Sequence, residues 1–296
     1  MTPAASRIVI SGAGGQVGTA LAATAIRRGC DVLALTSAQW DITDASAAER
    51  IIQRDDVVIN CAAYTDVDGA ESDEHTAYAV NATGPELLAR ACAQAGARLV
   101  HISTDYVFSG SLAGSPPRPY EPDDPAEPLS VYGRSKRAGE LAVLAASPEA
   151  TVVRSSWVYT GAGGKDFVAV MRRLAAGAGT VDVVDDQTGS PTYAADLAEA
   201  LLEVADGRVR SRLLHAANSG AVTRFEQARA VFEGVGADPQ RVRPVSSDRH
   251  PRTARRPAYS ALSGRQSAEA GLSPLRAWRD ALAQALAGGP LPSTRE

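Results

Sequence analysis

The sequence predicts an α/β protein: a doubly wound parallel sheet with helices on both faces, and a smaller C-terminal α/β lobe. Three observations predict it. Short apolar runs alternate with helix-length segments through the first half of the chain, the signature of successive βα units. Those runs are apolar at nearly every position, as strands buried on both faces must be. The first of them ends in a glycine cluster, Gly12-Ala13-Gly14-Gly15, where a strand turns directly into a helix. A length of 296 residues with 45% apolar side chains is enough for one large domain, or for a main domain with a lobe.

Taken in order, Arg7 to Ser11 (RIVIS) is the first strand and Thr19 to Arg28 the first helix, with Gly29 as its stop. Asp31 to Leu35 is the second strand, Ala45 to Gln53 the second helix and Val57 to Asn60 the third strand. Thr76 to Ala95 reads as one long helix closed by Gly96. Arg98 to Ser103 is the fourth strand, Tyr132 to Ala145 a helix and Ala150 to Arg154 the fifth strand. Between them, Ser111 to Leu129 holds six prolines and reads as an irregular surface loop. Beyond Tyr159 the alternation weakens. Helices are expected at Asp166 to Ala175, Tyr193 to Val204, Phe225 to Val235 and Leu275 to Leu286, and strands at Val181 to Val184 and within Arg208 to Asn218.

Gly12, Gly15 and Gly18 are spaced G-x-x-G-x-x-G between the first strand and its helix, with Gln16 and Val17 inside the loop. Glycines there let the backbone approach a pyrophosphate, whose charge the helix N-terminus meets. In this setting the pattern points to a Rossmann-type dinucleotide site. Residues 1–158 are therefore expected to form a dinucleotide-binding domain. Residues 159–296 form mainly a substrate-binding lobe, with segments near 190–220 returning to the sheet. At the end of the second strand, Leu35-Thr36-Ser37 offers no carboxylate, and no arginine stands beside it. A carboxylate in that place holds the ribose 2′-hydroxyl of NAD. Its absence favours NADPH, with NADH also usable.

Only two of the 30 cationic residues are lysines, Lys136 and Lys165. Lys136 follows Tyr132 by four positions, which on a helix puts both side chains on one face. An ammonium beside a phenol lowers the phenol's pKa and readies it as a proton donor. Ser103-Thr104-Asp105-Tyr106-Val107-Phe108 follows the fourth strand. Ligands of open parallel sheets bind beyond the carboxyl ends of the strands. Thr104, the glycine loop and the Tyr132–Lys136 pair are thus expected at one edge, a hydroxyl, a phenol and an ammonium above a bound nicotinamide.

The glycine spacing, STDYVF and the Tyr-x-x-x-Lys pair, in that order, resemble the extended short-chain dehydrogenase/reductase superfamily. Further stretches narrow the resemblance to the dTDP-4-dehydrorhamnose reductases. They are Asn60-Cys61-Ala62-Ala63-Tyr64-Thr65-Asp66-Val67-Asp68 with Glu71, Val80-Asn81-Ala82, Ser156-Trp157-Val158-Tyr159, Asp186 to Thr192, and Arg256-Pro257-Ala258-Tyr259-Ser260. The resemblance implies hydride transfer from NADPH to the C4 ketone of dTDP-6-deoxy-L-lyxo-4-hexulose, giving dTDP-L-rhamnose for polysaccharide. It implies Tyr132 as proton donor, Lys136 on the nicotinamide ribose and Thr104 on the sugar oxygen. Asp105, Tyr106 and Trp157 would contact the sugar or its nucleotide. Gly15, Gln16 and Val17 would face the cofactor's pyrophosphate, Asp41 and Ile42 the adenine, and Ala62, Ala63 and Tyr64 the middle of the dinucleotide. Asp41 would serve equally as the N-cap of the helix after it. Arg256 is the candidate for the substrate's phosphates, since arginine binds phosphate bidentately. Two alternatives stand beside this reading. One is an epimerase or dehydratase of the same superfamily, which would show no net NAD(P)H consumption. The other is a non-catalytic regulatory subunit resembling that of methionine adenosyltransferase.

A net charge of −4 gives no reason to expect nucleic acid as a partner. No apolar run is long enough to span a membrane, and the N-terminus does not read as a signal peptide. Cys30, Cys61 and Cys92 fit neither a disulfide framework nor a zinc site, so a reduced, cytoplasmic setting is expected. Some members of the resembling family dimerise through magnesium held by glutamates, one of them just after the glycine loop. Here the two stretches read Thr19-Ala20 and Tyr193-Ala194-Ala195. No structural metal is expected, and the oligomeric state, homodimer included, stays open. His101 and His215 lie in apolar strands and read as core histidines. Lys165 has no assigned role.

Overall fold

A computed structural model describes residues 6–111, 117–161 and 164–288. Its first half runs β1 (Ile8–Ser11), α1 (Gln16–Arg27), β2 (Val32–Leu35), α2 (Ala45–Ile51), β3 (Val57–Asn60), α3 (Glu74–Tyr78), α4 (Gly84–Ala95), β4 (Arg98–Thr104), α5 (Val131–Ala146) and β5 (Thr151–Ser155). It continues through β6 (Val158–Tyr159), α6 (Phe167–Ala175), β7 (Val181–Val184), β8 (Thr188–Gly189), β9 (Thr192–Tyr193), α7 (Ala194–Ala205) and β10 (Leu213–His215). The last elements are β11 (Val222–Thr223), α8 (Arg224–Gly234), β12 (Val242–Val245), α9 (Arg265–Glu269) and α10 (Trp278–Ala287).

Six parallel strands form the central sheet in the order β10-β5-β4-β3-β1-β2. The winding direction reverses between β1 and β3, and a cleft opens at their carboxyl ends. Side chains alternate between the two faces. Ile8, Ile10 and Ile59 pack with Leu21 and Ala25 of α1 and Leu197 and Leu201 of α7. Val9, Val58, Leu99 and Val152 pack with Leu88 and Cys92 of α4 and Val143 of α5. Burial on both faces is why the strands are apolar at successive positions. A second core joins α6, α8 and α10 through Val168, Met171, Val231, Phe232, Trp278 and Leu282.

Most expected elements are present with their ends moved by a few residues. The expected helix over Thr76 to Ala95 is not continuous. It is α3, a π turn at Ala79–Thr83, and α4. Pro85 has no N–H to give the Asn81 carbonyl one turn back, so the α-helical ladder has to break there. The wider turn buries the Asn81 side chain. Its Oδ1 accepts from the Tyr64 N–H at 2.9 Å, and its Nδ2 donates to the Tyr64 carbonyl at 3.1 Å and the Ser135 hydroxyl at 3.0 Å. Helical periodicity continues across a single π turn, so the pattern alone conceals it. The two-residue strands β6, β8, β9 and β11 were not expected, because two residues carry no period.

Helix α5 is held from both ends of its first turn. Ser130 accepts from the Gly133 N–H at 3.1 Å, and Glu71 accepts from the Val131 N–H at 2.8 Å. Two glycines let it come close to its neighbours. A Cβ at Gly133 would collide with the Tyr106 carbonyl oxygen, and one at Gly139 with the Asn81 carbonyl oxygen. Alanine is the better helix former by about 1 kcal/mol. Gly139→Ala is nonetheless expected to lower stability by about 1–3 kcal/mol, read as a lower urea midpoint. An unchanged or higher midpoint would show that this contact does not set the helix position.

Candidate active site

The glycine loop fits a dinucleotide. Gly12 has φ of 67°, and a Cβ there would stand 2.6 Å from the Ala62 nitrogen. A Cβ at Gly18 would collide with the Gly12 carbonyl. The loop therefore lies directly against the segment after β3 that carries Ala62, Ala63 and Tyr64. Gly15 caps α1 without a side chain, which leaves the first-turn N–H groups around Gln16, Val17 and Gly18 facing outward for an anion. At the neighbouring edge, Ile42 is buried and packs under Gly84. Asp41 closes a local turn by accepting from the Thr43 N–H and hydroxyl at 2.9 and 2.7 Å. The cap of α2 is Asp44, not Asp41.

Thr104 ends β4, and its hydroxyl donates to Asp105 Oδ1 at 3.2 Å and lies within hydrogen-bonding reach of the Tyr132 phenol. Tyr106 sits edge-on to Tyr132, ring centroids 5.6 Å apart. Burial pushes the Tyr132 phenol up, and the Thr104 contact only partly offsets this. The sequence suggested that Lys136 would depress the phenol. The structure differs because the Lys136 amine is aimed elsewhere, donating to the Ile102 carbonyl at 2.7 Å. A raised phenol pKa still suits a proton donor, which has to hold its proton at neutral pH.

Lys136 is 2% exposed, and burial pulls it down to about 8. A buried chain of polar groups leads to it. Asn60 Oδ1 accepts from the Ser11 hydroxyl at 2.7 Å and the Ala62 N–H at 3.0 Å. The Ala62 bond fixes the amide orientation, because a backbone nitrogen only donates. Asn60 Nδ2 then donates to His101 Nδ1 at 3.0 Å. The His101 proton is therefore on Nε2, which lies 3.5 Å from the Lys136 amine. An N–H facing an ammonium disfavours its charge, in the same direction as burial. Burial, and secondarily Lys136, hold His101 well below the usual histidine range. His101 was expected as a core histidine, and it is fully buried with Asn60 as its hydrogen-bond partner. His215 is on β10, edge-on to Phe108.

The second lobe closes on the same place. Arg256 donates to both oxygens of Asp68, at 2.6 and 2.7 Å, and hydrogen-bonds the Tyr106 hydroxyl. Its charge is therefore already answered by a carboxylate in this structure. Ser260 donates to Asp105 Oδ2 at 2.5 Å. Trp157 has φ of 47°, a left-handed backbone that an indole residue seldom adopts. A Cβ at Gly189 would collide with its ring.

The model of the RmlD substrate binding domain family matches residues 6–289. A dTDP-4-dehydrorhamnose reductase of Mycobacterium tuberculosis is 69% identical over 304 residues, covering 100% of both chains. The chain belongs to this reductase family. A dTDP-4-dehydrorhamnose reductase of Mycolicibacterium smegmatis is 60% identical over 297 residues, 98% of this chain and 90% of its own. The crystal structure of the Bacillus anthracis dTDP-4-dehydrorhamnose reductase in complex with NADP superimposes with a TM-score of 0.89 at 34% identity. It covers 96% of this chain and 99% of that one. A Thermus thermophilus UDP-glucose 4-epimerase, at 21% identity and a TM-score of 0.76, covers 95% of this chain and 99% of its own and shares the fold alone.

The fold thus brings the reductase family's motifs together at one cleft. Gly12 to Gly18 meets Ala62, Thr104 meets Tyr132 and Asp105, and Tyr106 meets both Tyr132 and Arg256. Several partners were not foreseen. Asn60, Asn81, Asp68 and Ser260 stood inside recognised motifs, but their contacts span large sequence separations that no local pattern reports. Arg224, whose guanidinium lies over Trp157, had no signal at all.

Asp105 is buried, and burial raises its carboxyl to about 6, against the lowering effect of Ser260 and Thr104. Its folded pKa lies above the unfolded value, so the native state binds the proton more tightly. The cost of keeping the carboxylate ionised is absent below about pH 4, grows through pH 6 and reaches about 3 kcal/mol at neutral pH. Asp105→Asn is expected to be more stable than the parent at pH 7 and to lose that advantage near pH 4, measured as Tm against pH. Protonation also removes the negative charge beside the Thr104 hydroxyl and adds an O–H donor to a carboxyl that had only accepted. The parent's kcat/KM should therefore fall as pH drops through about 6, and the variant's should not. Matching profiles for the two proteins would refute the assignment.

Proposed function

We propose that this protein reduces the C4 ketone of dTDP-6-deoxy-L-lyxo-4-hexulose with NADPH, giving dTDP-L-rhamnose. One observation carries the proposal: the Thr104 hydroxyl and the Tyr132 phenol lie within hydrogen-bonding reach at the carboxyl end of β4, with the Lys136 amine held nearby on the Ile102 carbonyl, and the glycine loop is shaped for a dinucleotide. The names of the relatives and the NADP held by the Bacillus anthracis reductase support the substrate and the cofactor.

NADPH, when bound, supplies the hydride that reaches the ketone carbon. Gly15, Gln16 and Val17 receive its pyrophosphate on the first turn of α1. Asp41 and Ile42 flank its adenine, and Ala62, Ala63 and Tyr64 line its middle. Lys136 holds the nicotinamide ribose. Tyr132 gives its proton to the ketone oxygen as that oxygen gains charge, and the Thr104 hydroxyl turns its one proton from Asp105 to the same oxygen. Hydride and proton together account for the alcohol formed. Trp157, Asp105 and Tyr106 contact the sugar nucleotide. Residues 1–158 mainly hold the dinucleotide and residues 159–296 mainly the substrate. Among the described residues no helix is long and apolar enough to cross a membrane, and a cytoplasmic enzyme fits this.

The test is to offer the purified protein the dTDP-4-keto sugar and follow NADPH oxidation. Net consumption is expected, and its absence would sink the reading. Tyr132→Phe should lower kcat by about 10²- to 10⁴-fold with NADPH binding retained; near-normal turnover would remove Tyr132 from the role. Lys136→Arg should be nearly as damaging as Lys136→Ala, because a planar fork does not replace a compact amine held by the Ile102 carbonyl. A kcat/KM for NADH more than about tenfold above that for NADPH would overturn the cofactor preference, which rests on the missing carboxylate after β2.

A further inference from the structure

The second lobe brings two arginines towards the cleft, and only one is paired with a carboxylate among the described residues. Arg256 is paired with Asp68 through both oxygens. Arg224 is not. It is the first residue of α8, half-buried, with its guanidinium 3.5 Å from the Trp157 ring centroid and 4.8 Å from that of Phe167. The guanidinium's one hydrogen bond among the described residues runs to Gln227 Oε1 at 3.2 Å, and no carboxylate there forms an ion pair with it. Burial pulls the guanidinium down to about 10, while Tyr106 and Asp105 act on it in the opposite direction. Trp157, on which it lies, is two residues beyond Ser155, which pairs with Thr104 across β4 and β5, so Arg224 stands at the carboxyl edge of the sheet near Thr104. A guanidinium carries five N–H donors, and a desolvated cation with most of them unspent calls for an anion. Stacking on two aromatic rings fixes the plane of the fork without using its donors.

We propose that Arg224, seated on Trp157, is the cation that receives the diphosphate of the sugar-nucleotide substrate. The inference rests on the reductase reading above for the identity of that substrate. The cofactor's pyrophosphate is a second source of the same chemistry, but the uncapped first turn of α1 already answers it. The strained backbone of Trp157 supports the proposal as well. A left-handed conformation costs about 1–3 kcal/mol and persists where the surroundings demand it. Here it sets the indole under Arg224 and over the side-chain-free Gly189.

The experiment compares the parent protein with Arg224→Met, which keeps the length of the stem and loses the charge, and with Arg224→Lys. Dissociation constants are measured by calorimetry for dTDP, thymidine and NADPH, and KM and kcat are measured with the dTDP-4-keto sugar. Loss of charge-assisted hydrogen bonds predicts that Arg224→Met binds dTDP about ten- to a hundredfold more weakly. Thymidine and NADPH affinities should hold within about twofold, and Arg224→Lys should fall between. The KM for the sugar nucleotide should rise by a similar factor, with kcat changing far less. Parallel losses for thymidine and dTDP would show Arg224 to be a strut for Trp157 and overturn the proposal. So would an unchanged dTDP affinity, a weakened NADPH affinity, or a parent that binds dTDP no better than thymidine. Failure of the parent to reduce the sugar would instead strike the functional reading, since the difference between dTDP and thymidine is read without turnover.

Discussion

The site depends first on how closely α5 packs against the end of β4 and the π turn. Gly133 and Gly139 take away the two side chains that would hold the helix off. Glu140 then locks it in place. Arg154 of β5 donates to both carboxylate oxygens of Glu140 at 2.7 Å, with both side chains essentially unexposed. Such a pair adds little net stability over apolar packing, but losing one partner strands a buried charge, which costs about 3–5 kcal/mol. Its effect is on geometry. Tyr132, Lys136 and Glu140 follow one another at intervals of four along one face of α5, so fixing Glu140 fixes the phenol and the amine above it.

Burial sets the chemistry of the cleft. Desolvation is the largest influence on Tyr132, Lys136, Asp105 and His101 alike, raising the two acids and lowering the two bases. Each group is moved towards its neutral form, and each is held by hydrogen bonds that would be costly to break in a dry site. Ser11, Asn60 and His101 are hydrogen-bonded in a row across β1, β3 and β4, and Lys136 is held by the Ile102 carbonyl of β4, so the glycine loop and the catalytic helix share one support. Preorganised dipoles of this kind need no reorganisation when charge develops.

The second lobe completes the cleft through a few long-range contacts. Arg256 reaches Asp68, Ser260 reaches Asp105, and Arg224 lies over Trp157. The loop after β3 serves both sides: Glu71 caps α5, and Asp68 holds Arg256. Substrate-side and helix-side geometry are therefore set by the same short segment.

The alternation of apolar runs, the glycine spacing and the Tyr132–Lys136 interval are local properties, and local physics decides them. Strand burial, backbone freedom and helical pitch each act within a few residues, so the doubly wound sheet, the dinucleotide loop and the reactive pair are legible in the sequence alone. The tautomer of His101, the answering of Arg256 by Asp68 and the charge of Arg224 left without a carboxylate among the described residues are different in kind. Each depends on which groups meet across tens to hundreds of positions, and on how much water the fold leaves around them. Composition and periodicity hold no record of that. Tertiary packing alone decided which of two arginines kept a free charge, and it turned the phenol's expected fall in pKa into a rise.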